Sequence, residues 1–353
     1  MKHKRKLLWI IPLALIAVIA VTLAVNHKAT YMVFRNLTAP VYDLDESRDD
    51  WNGGTAYRKV PYSKVSPSDY VNIYVPDSEE APPLYVVIHG GGFVSNDAES
   101  RQAQWMYRYF RDHGFACASV NYRLAQEAAF PAAVEDCKAA IRFLRAHADE
   151  YGYNADHIAV FGESAGGYLA VMCAVTGDDE FNGLPFIGQD ELGDVSARVD
   201  VLVDYYGVME WNIKKDLAAI GLPGFIYQIA NSWISADDME GFDSFESYWL
   251  RKDVSRMTPE ELAVSDPYTY IEKNLPGSGL SVWIVHGDCD ITVPAPQSDR
   301  LNERLAGILG ADRVTYRLIP NMGHASDPLY SDDELGLLEA YLKGKLSGRG
   351  NDG

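Results

Sequence analysis

Basic residues are scarce in this chain. Lys and Arg number 31 against 50 Asp and Glu, a net charge of −19 over 353 residues. Four of the cations crowd into the first six positions, so the remainder is more acidic still. A body of that charge repels phosphate backbones and anionic lipid, which argues against a nucleic-acid partner and against peripheral docking on acidic membranes. It favours neutral or cationic small substrates only weakly, because acidic surfaces usually serve solubility. Cysteine is also sparse. Cys117, Cys137, Cys173 and Cys289 show no Cys-x-x-Cys spacing, which argues against a metal site. Three fall in strand or helix patterns and read as small buried apolar residues, with a disulfide left open outside the cytosol. No internal repeat is present, so a stacked-repeat architecture has no support.

Long uncharged runs are confined to one place. Behind Met1-Lys2-His3-Lys4-Arg5-Lys6 come nineteen residues without a charge, Leu7 to Val25. That length spans a bilayer as a helix, and Pro12 near its start is tolerable. The basic cluster would stay cytoplasmic and place the rest outside. The competing reading is a cleaved signal peptide, with Val18-Ile19-Ala20 as its site, but the apolar run continues past it. No Leu-x-x-Cys lipoprotein box is present. We therefore expect a membrane anchor over 1–29, a stalk or linker over 30–55 ending in the acidic run Asp43–Asp50, and one catalytic domain over 56–347.

In that body, short apolar strand patterns alternate with helical ones. This predicts one large α/β domain with a mostly parallel central sheet and helices on both faces. One helix is plain from spacing: Val134, Cys137, Ile141 and Leu144 line an apolar stripe, and Lys138, Arg142 and Arg145 are expected to face outward.

The most informative stretch is Gly162-Glu163-Ser164-Ala165-Gly166-Gly167. It follows the apolar Ile158-Ala159-Val160-Phe161 and precedes Tyr168-Leu169-Ala170-Val171-Met172. This is strand, tight turn, helix, with a serine at the apex and glycines where the backbone must close without clashes. Such a turn is the nucleophile elbow, and Ser164 is the candidate nucleophile. A hydrolytic serine also needs oxyanion donors, a base and an acid to orient the base. Upstream, the run Leu84-Tyr85-Val86-Val87-Ile88 ends in His89-Gly90-Gly91-Gly92-Phe93. Consecutive glycines at a strand end leave bare backbone N–H groups open to a ligand. The Gly91 and Gly92 amides, with that of Ala165 after the nucleophile, are the expected oxyanion hole. His89 is expected to brace the loop.

Downstream, Ser281-Val282-Trp283-Ile284-Val285 runs into His286-Gly287-Asp288-Cys289-Asp290. Acids just past the carboxyl end of a parallel strand lie on the ligand-binding edge of such sheets. Asp290 is the favoured acid, and Asp288 reads as a turn-former bonded to its own backbone. After the strand Val314–Ile319, the loop Pro320-Asn321-Met322-Gly323-His324 carries the candidate base, His324. The chain order Ser, Asp, His fits this arrangement. His113, His147 and His157 lie away from strand ends, and His286 reads as structural.

Together these motifs resemble the hormone-sensitive-lipase-type carboxylesterases of the α/β-hydrolase superfamily, in particular their small bacterial members. The segment Val120-Asn121-Tyr122-Arg123-Leu124-Ala125, followed by Phe130-Pro131-Ala132-Ala133-Val134-Glu135-Asp136, is similar to the part of those proteins between oxyanion loop and elbow. The resemblance covers about 55–206 and 265–345. It implies hydrolysis of small-molecule carboxylic esters without metal or cofactor, and leaves the oligomeric state unknown.

The chain departs from that family at its N-terminus and over 209–265. The latter is an expected cap insertion carrying Trp211, Phe225, Tyr227, Trp233, Phe242, Phe245, Tyr248 and Trp249. It reads equally as an aromatic-lined lid over Ser164 and as a helical subdomain packed on itself and on the sheet. Two rival functions remain: a serine peptidase of the same fold, for whose usual extra domain there is no room, and a non-catalytic binding module, which typically loses the nucleophile or base.

Overall fold

The computed structural model describes residues 27–38, 40, 51–231 and 239–346. The uncharged run Leu7–Val25, the acidic run Asp43–Asp50 and Trp233 lie outside them. Among the described residues no helix is long and apolar enough to cross a membrane.

Eight strands form one sheet: β1 Gly54–Pro61, β2 Tyr70–Pro76, β3 Pro83–Ile88, β4 Ala116–Val120, β5 Asn154–Glu163, β6 Val201–Tyr205, β7 Ser281–Gly287 and β8 Val314–Ile319. Their spatial order is β1-β2-β4-β3-β5-β6-β7-β8. Only β2 runs against its neighbours, and every pairing from β4 to β8 is parallel. The mostly parallel α/β sheet read from the alternating pattern is the fold observed.

The strands are buried on both faces, and side-chain alternation sorts them. In β3, Leu84, Val86 and Ile88 face one core, while Tyr85 and Val87 face the other. The first core is closed by α3 Ala132–Ala146 and α4 Ala165–Val175, and the second by α2 Arg101–Asp112 and α11 Asp332–Leu346. Two covered faces explain why these strands read as continuous apolar runs.

Helix α3 corrects one expectation. Val134, Cys137, Ile141 and Leu144 are buried as the spacing predicts, but Lys138 and Arg142 are buried too. The segment after α4 wraps over their face and supplies acceptors. Lys138 Nζ donates to the Gly177 carbonyl at 2.6 Å and Thr176 Oγ1 at 3.0 Å, and Arg142 Nη2 to the Asp178 carbonyl at 2.8 Å. Burial lowers the Lys138 ammonium to about 8. Period analysis sees only the apolar stripe of a helix. It cannot see carbonyls arriving from elsewhere in the chain.

Between β6 and β7 the insertion forms short helices: α5 Ile213–Ala219, α6 Phe225–Ala230, α7 Phe245–Leu250, α8 Pro259–Ala263 and α9 Pro267–Asn274. Side-chain caps start three of them, at Ser244, Thr258 and Asp266. Trp211, Tyr227, Phe245, Tyr248 and Trp249 are buried. Trp249 stacks on Phe93 at 4.0 Å between ring centroids and 9° between planes, so the insertion grips the glycine loop after β3 directly. Helix α10 Pro296–Leu309 then leads to β8.

The start of the expected stalk or linker over 30–55 lies among the described residues. Residues 27–37 form a helix, α1 His27–Leu37, whose Ala29 and Met32 are buried in the main core. The apolar side of this segment is docked on the hydrolase body, which a stalk would not require.

Candidate active site

The elbow is built by close packing. A side chain at Gly162 would collide with the Gly166 carbonyl, and one at Gly166 with the carbonyls of Ile88 and His89. Both glycines therefore let α4 start hard against β3 and β5. Ser164 sits between them at φ 55° and ψ −120°, a conformation that L-residues avoid. Such strain persists only where the surroundings over-determine it. Here the Ser164 amide donates to the Tyr205 carbonyl of β6 at 2.9 Å. Its side chain stands half-exposed above the carboxyl edge of the sheet, while Ala165 is buried.

The loop after β3 lies beside it. Gly91 and Gly92 take φ values of +107° and +59°. Among the described residues neither amide has a protein acceptor. The Gly91 carbonyl is occupied, accepting from the amides of Val94 and Ser95 at 3.1 Å. The His89 ring stacks on Tyr122 and its Nδ1 lies 2.8 Å from the Gly90 carbonyl. Burial lowers His89 to about 4, so a neutral, packed imidazole braces the loop.

Ser164, His324 and Asp290 are brought together. His324 Nε2 lies 3.0 Å from Ser164 Oγ, and His324 Nδ1 lies 2.7 Å from Asp290 Oδ2. Asp290 is fully buried, and its other oxygen accepts from the Thr292 and Val293 amides at 2.8 and 2.9 Å. Burial alone would raise this carboxyl, but the facing His324 and the hydrogen bonds from His286 and His324 outweigh it and hold Asp290 well below the usual carboxylate range. His324 moves the other way. Desolvation lowers it, yet the charge and hydrogen bond of Asp290, with the charge of Glu163, leave it above the ordinary value of 6.5.

Asp288 is exposed and does not join this chain of bonds. It was expected to bond its own turn. Instead its Oδ1 accepts from the Asn321 amide at 2.6 Å, tying the start of the base loop to the acid loop. His286 is buried, with Nδ1 at 2.7 Å from Ser298 Oγ and Nε2 at 2.8 Å from the Val293 carbonyl and 3.3 Å from Asp290 Oδ2. It holds the acid loop shut from below.

Sequence reasoning missed three neighbours. Glu163, inside the elbow motif, is buried, and its Oε1 accepts from the Gly90 amide at 2.6 Å, joining elbow to glycine loop. Burial raises it to about 7. An acid at the end of an otherwise apolar strand was a visible signal. Tyr206 packs edge-on against the His324 ring at 4.8 Å and shares a hydrogen bond with Tyr330. Asn36 of α1 bonds the backbone of His324. Nothing in the local sequence around Asn36 or Tyr330 marks either as near Ser164.

All four cysteines are buried free thiols. Among the described residues no group of His, Cys, Asp or Glu is placed to hold a metal ion.

One reversed strand in a parallel eight-stranded sheet, with a strained serine on the turn after its fifth strand, defines an α/β-hydrolase. Within that class the chain belongs to the BD-FAE family, whose model matches residues 71–305. It is similar to Esterase LipC of Mycobacterium tuberculosis, 27% identical over 248 residues, or 70% of this chain and 54% of that protein. A shorter stretch of 118 residues is 32% identical to the acetyl esterase of Salmonella typhi, covering 33% of this chain and 34% of that one. The chain spans about half the length of the curated mycobacterial relatives LipC, LipQ and LipM. Among solved structures, a truncated carbohydrate esterase from gut microbiota superposes with a TM-score of 0.68 at 22% identity, covering 88% of this chain and 100% of that one. At that identity the likeness speaks for the fold.

Proposed function

We propose that this protein hydrolyses carboxylic esters through an acyl-enzyme on Ser164. The observation that carries this reading is the unbroken line from a strained, half-exposed Ser164 Oγ to His324 Nε2 and from His324 Nδ1 to the buried Asp290. His324 takes the serine proton as Oγ attacks the ester carbonyl. The oxyanion that forms is held by the Gly91, Gly92 and Ala165 amides. His324 then gives its proton to the departing alcohol, and a water activated by the same imidazole releases the acid. Asp290 fixes the tautomer and stabilises the imidazolium. No step in this scheme calls for a metal or cofactor. Relatives named esterase support the choice of esters over peptides.

The insertion over 209–265 forms one wall beside the glycine loop through Trp249 and Phe93, which supports its assignment as a specificity-setting cap. The uncharged run behind the basic N-terminus supports a single-pass anchor with the hydrolase outside the cell, and signal-peptide cleavage is the outcome that would replace it. A mature N-terminus at about residue 20–30 would establish cleavage.

The deciding experiment is labelling by a fluorophosphonate, with and without Ser164→Ala, beside a panel of aryl esters and proline-containing peptides. Labelling confined to Ser164 with turnover of esters alone is the expected result. An unlabelled protein would point to a binding module, and peptide cleavage to a peptidase.

A further inference from the structure

Polar side chains of helix α1 reach the loops that follow β7 and β8. Asn36 Nδ2 donates to the Cys289 carbonyl at 2.5 Å and to the Met32 carbonyl of its own helix at 2.7 Å. Asn36 Oδ1 accepts from the His324 amide at 3.3 Å. From the same helix, the neighbouring Arg35 donates through Nε to the Asn321 carbonyl at 3.0 Å, and the Tyr31 hydroxyl donates to the Asn321 side chain. These contacts fall on two loops: the one that carries Asp290 and the one that carries His324.

The base loop needs such support. Asn321 and Ala325, on either side of His324, have φ values of 64° and 52°. Asn tolerates this region, but for Ala325 it is a costly conformation that the surroundings must impose. The loops also support each other: Asp288 Oδ1 accepts from the Asn321 amide, the Ile319 carbonyl from the Asp288 amide at 3.1 Å, the Met322 carbonyl from the Cys289 amide at 2.9 Å, and Ser326 Oγ from the Gly323 amide at 2.9 Å. Gly323 is fitted to α1 specifically. A β-carbon there would collide with the Asn36 side-chain amide, whose atoms are its three nearest neighbours.

We propose that Asn36 is a positioning residue for the base: it clamps the acid loop to the base loop, and so sets the place of the His324 imidazole between Asp290 and Ser164. The claim builds on the ester-hydrolase reading, and one readout of its test is independent of turnover. It makes the N-terminal helix part of the working site, 288 residues away in sequence from the histidine that it holds. A water molecule can satisfy either carbonyl or amide singly. It cannot tie the two loops at a fixed distance to a helix seated by Ala29 and Met32 in the core.

The experiment compares full-length wild type, Asn36→Ala, Gly323→Ala and the double variant. Competent sites are counted by endpoint titration with a fluorophosphonate, so that unfolded protein is not mistaken for slow protein. Asn36→Ala is expected to lower kcat per titrated site about 10- to 100-fold with KM nearly unchanged, as misplacement of a catalytic group does. The low-field proton resonance of the His324 Nδ1–H to Asp290 bond should broaden or move upfield. Gly323→Ala alone should lower kcat by a comparable factor. In the Asn36→Ala background it should add little, because the colliding group is gone. Wild-type kcat per site in Asn36→Ala with an unmoved low-field proton would overturn the proposal, as would full additivity of the two changes. If the wild type turned over no ester, the functional reading would fall, and the low-field proton alone would still decide the role of Asn36.

Discussion

The elbow and the base loop meet at a single hydrogen bond, from Ser164 to His324, yet they are held by opposite means. The elbow is held from within. Its glycines at 162 and 166 let β3, β5 and α4 touch backbone to backbone, and the strain at Ser164 is locked by adjacent strands. The base loop is held from without. It hangs beyond β8 and takes its shape from Asp288, Ser326 and a helix from the far end of the chain. The proposed nucleophile is thus placed by packed backbone, and the proposed base by side chains that reach its loop from elsewhere in the chain. Changes at the elbow should therefore act through packing or chemistry at once, and changes around the base loop through alignment.

The comparison is broken most completely at its shared bond. Ser164→Ala should lower kcat about 10⁶-fold with an unchanged circular-dichroism spectrum, since a half-exposed oxygen is lost without a buried cavity. A small loss in aryl-ester turnover would reject Ser164 as nucleophile. Asp290→Asn should cost about 10⁴-fold in kcat, because the amide presents the wrong partner to Nδ1 and misdirects the imidazole. Steady-state kinetics on the folded variant would check it.

Gly166→Ala tests the elbow as packing. Its new methyl would be forced into the carbonyls of Ile88 and His89, which are backbone and cannot turn aside. A loss of at least about 1–3 kcal/mol in urea-denaturation stability is expected, with activity falling alongside. Full stability would show that the elbow has more slack than its geometry implies.

Acid pH tests the base. His324 sits above the ordinary 6.5, and only its neutral form accepts the serine proton. The pH profile of kcat/KM should therefore fall as pH drops through a midpoint above 6.5. Asp290, held far below its usual range, stays ionised throughout that window. Asp290→Asn removes the charge that raises His324, so the residual activity should show its acid limb at lower pH. A limb that stays in place would separate His324 from the titration. The smallest effect is reserved for Asp288→Asn. The amide oxygen can still accept from the Asn321 N–H, so less than about tenfold is expected in kcat. A loss matching that of Asp290→Asn would reverse the roles of the two acids.

Where a residue could be read from the sequence, its neighbours in the chain explained it. Ser164 stood out because the glycines beside it have one physical use. Gly91, Gly92, Asp290 and His324 were proposed because strand ends in a parallel sheet mark the ligand-binding edge. Lys138 and Arg142 were misread as outward-facing, because the carbonyls that bury them come from the segment after α4. Glu163 was in plain view, but its partner, the Gly90 amide, lies 73 residues away.

By itself the sequence determined the alternation of strand and helix around the elbow, the tight turn and the chemical identity of the groups at the sheet edge. These depend on side-chain period, on glycine where backbones touch and on which residues can carry a proton, all of which are local properties. Only the tertiary structure decided that Asp288 ties the two loops together, that Trp249 closes on Phe93, and that residues 27–37 are a helix gripping the base loop. Those outcomes depend on which distant surfaces meet, and a hydrogen bond across 288 residues leaves no periodic mark in the chain.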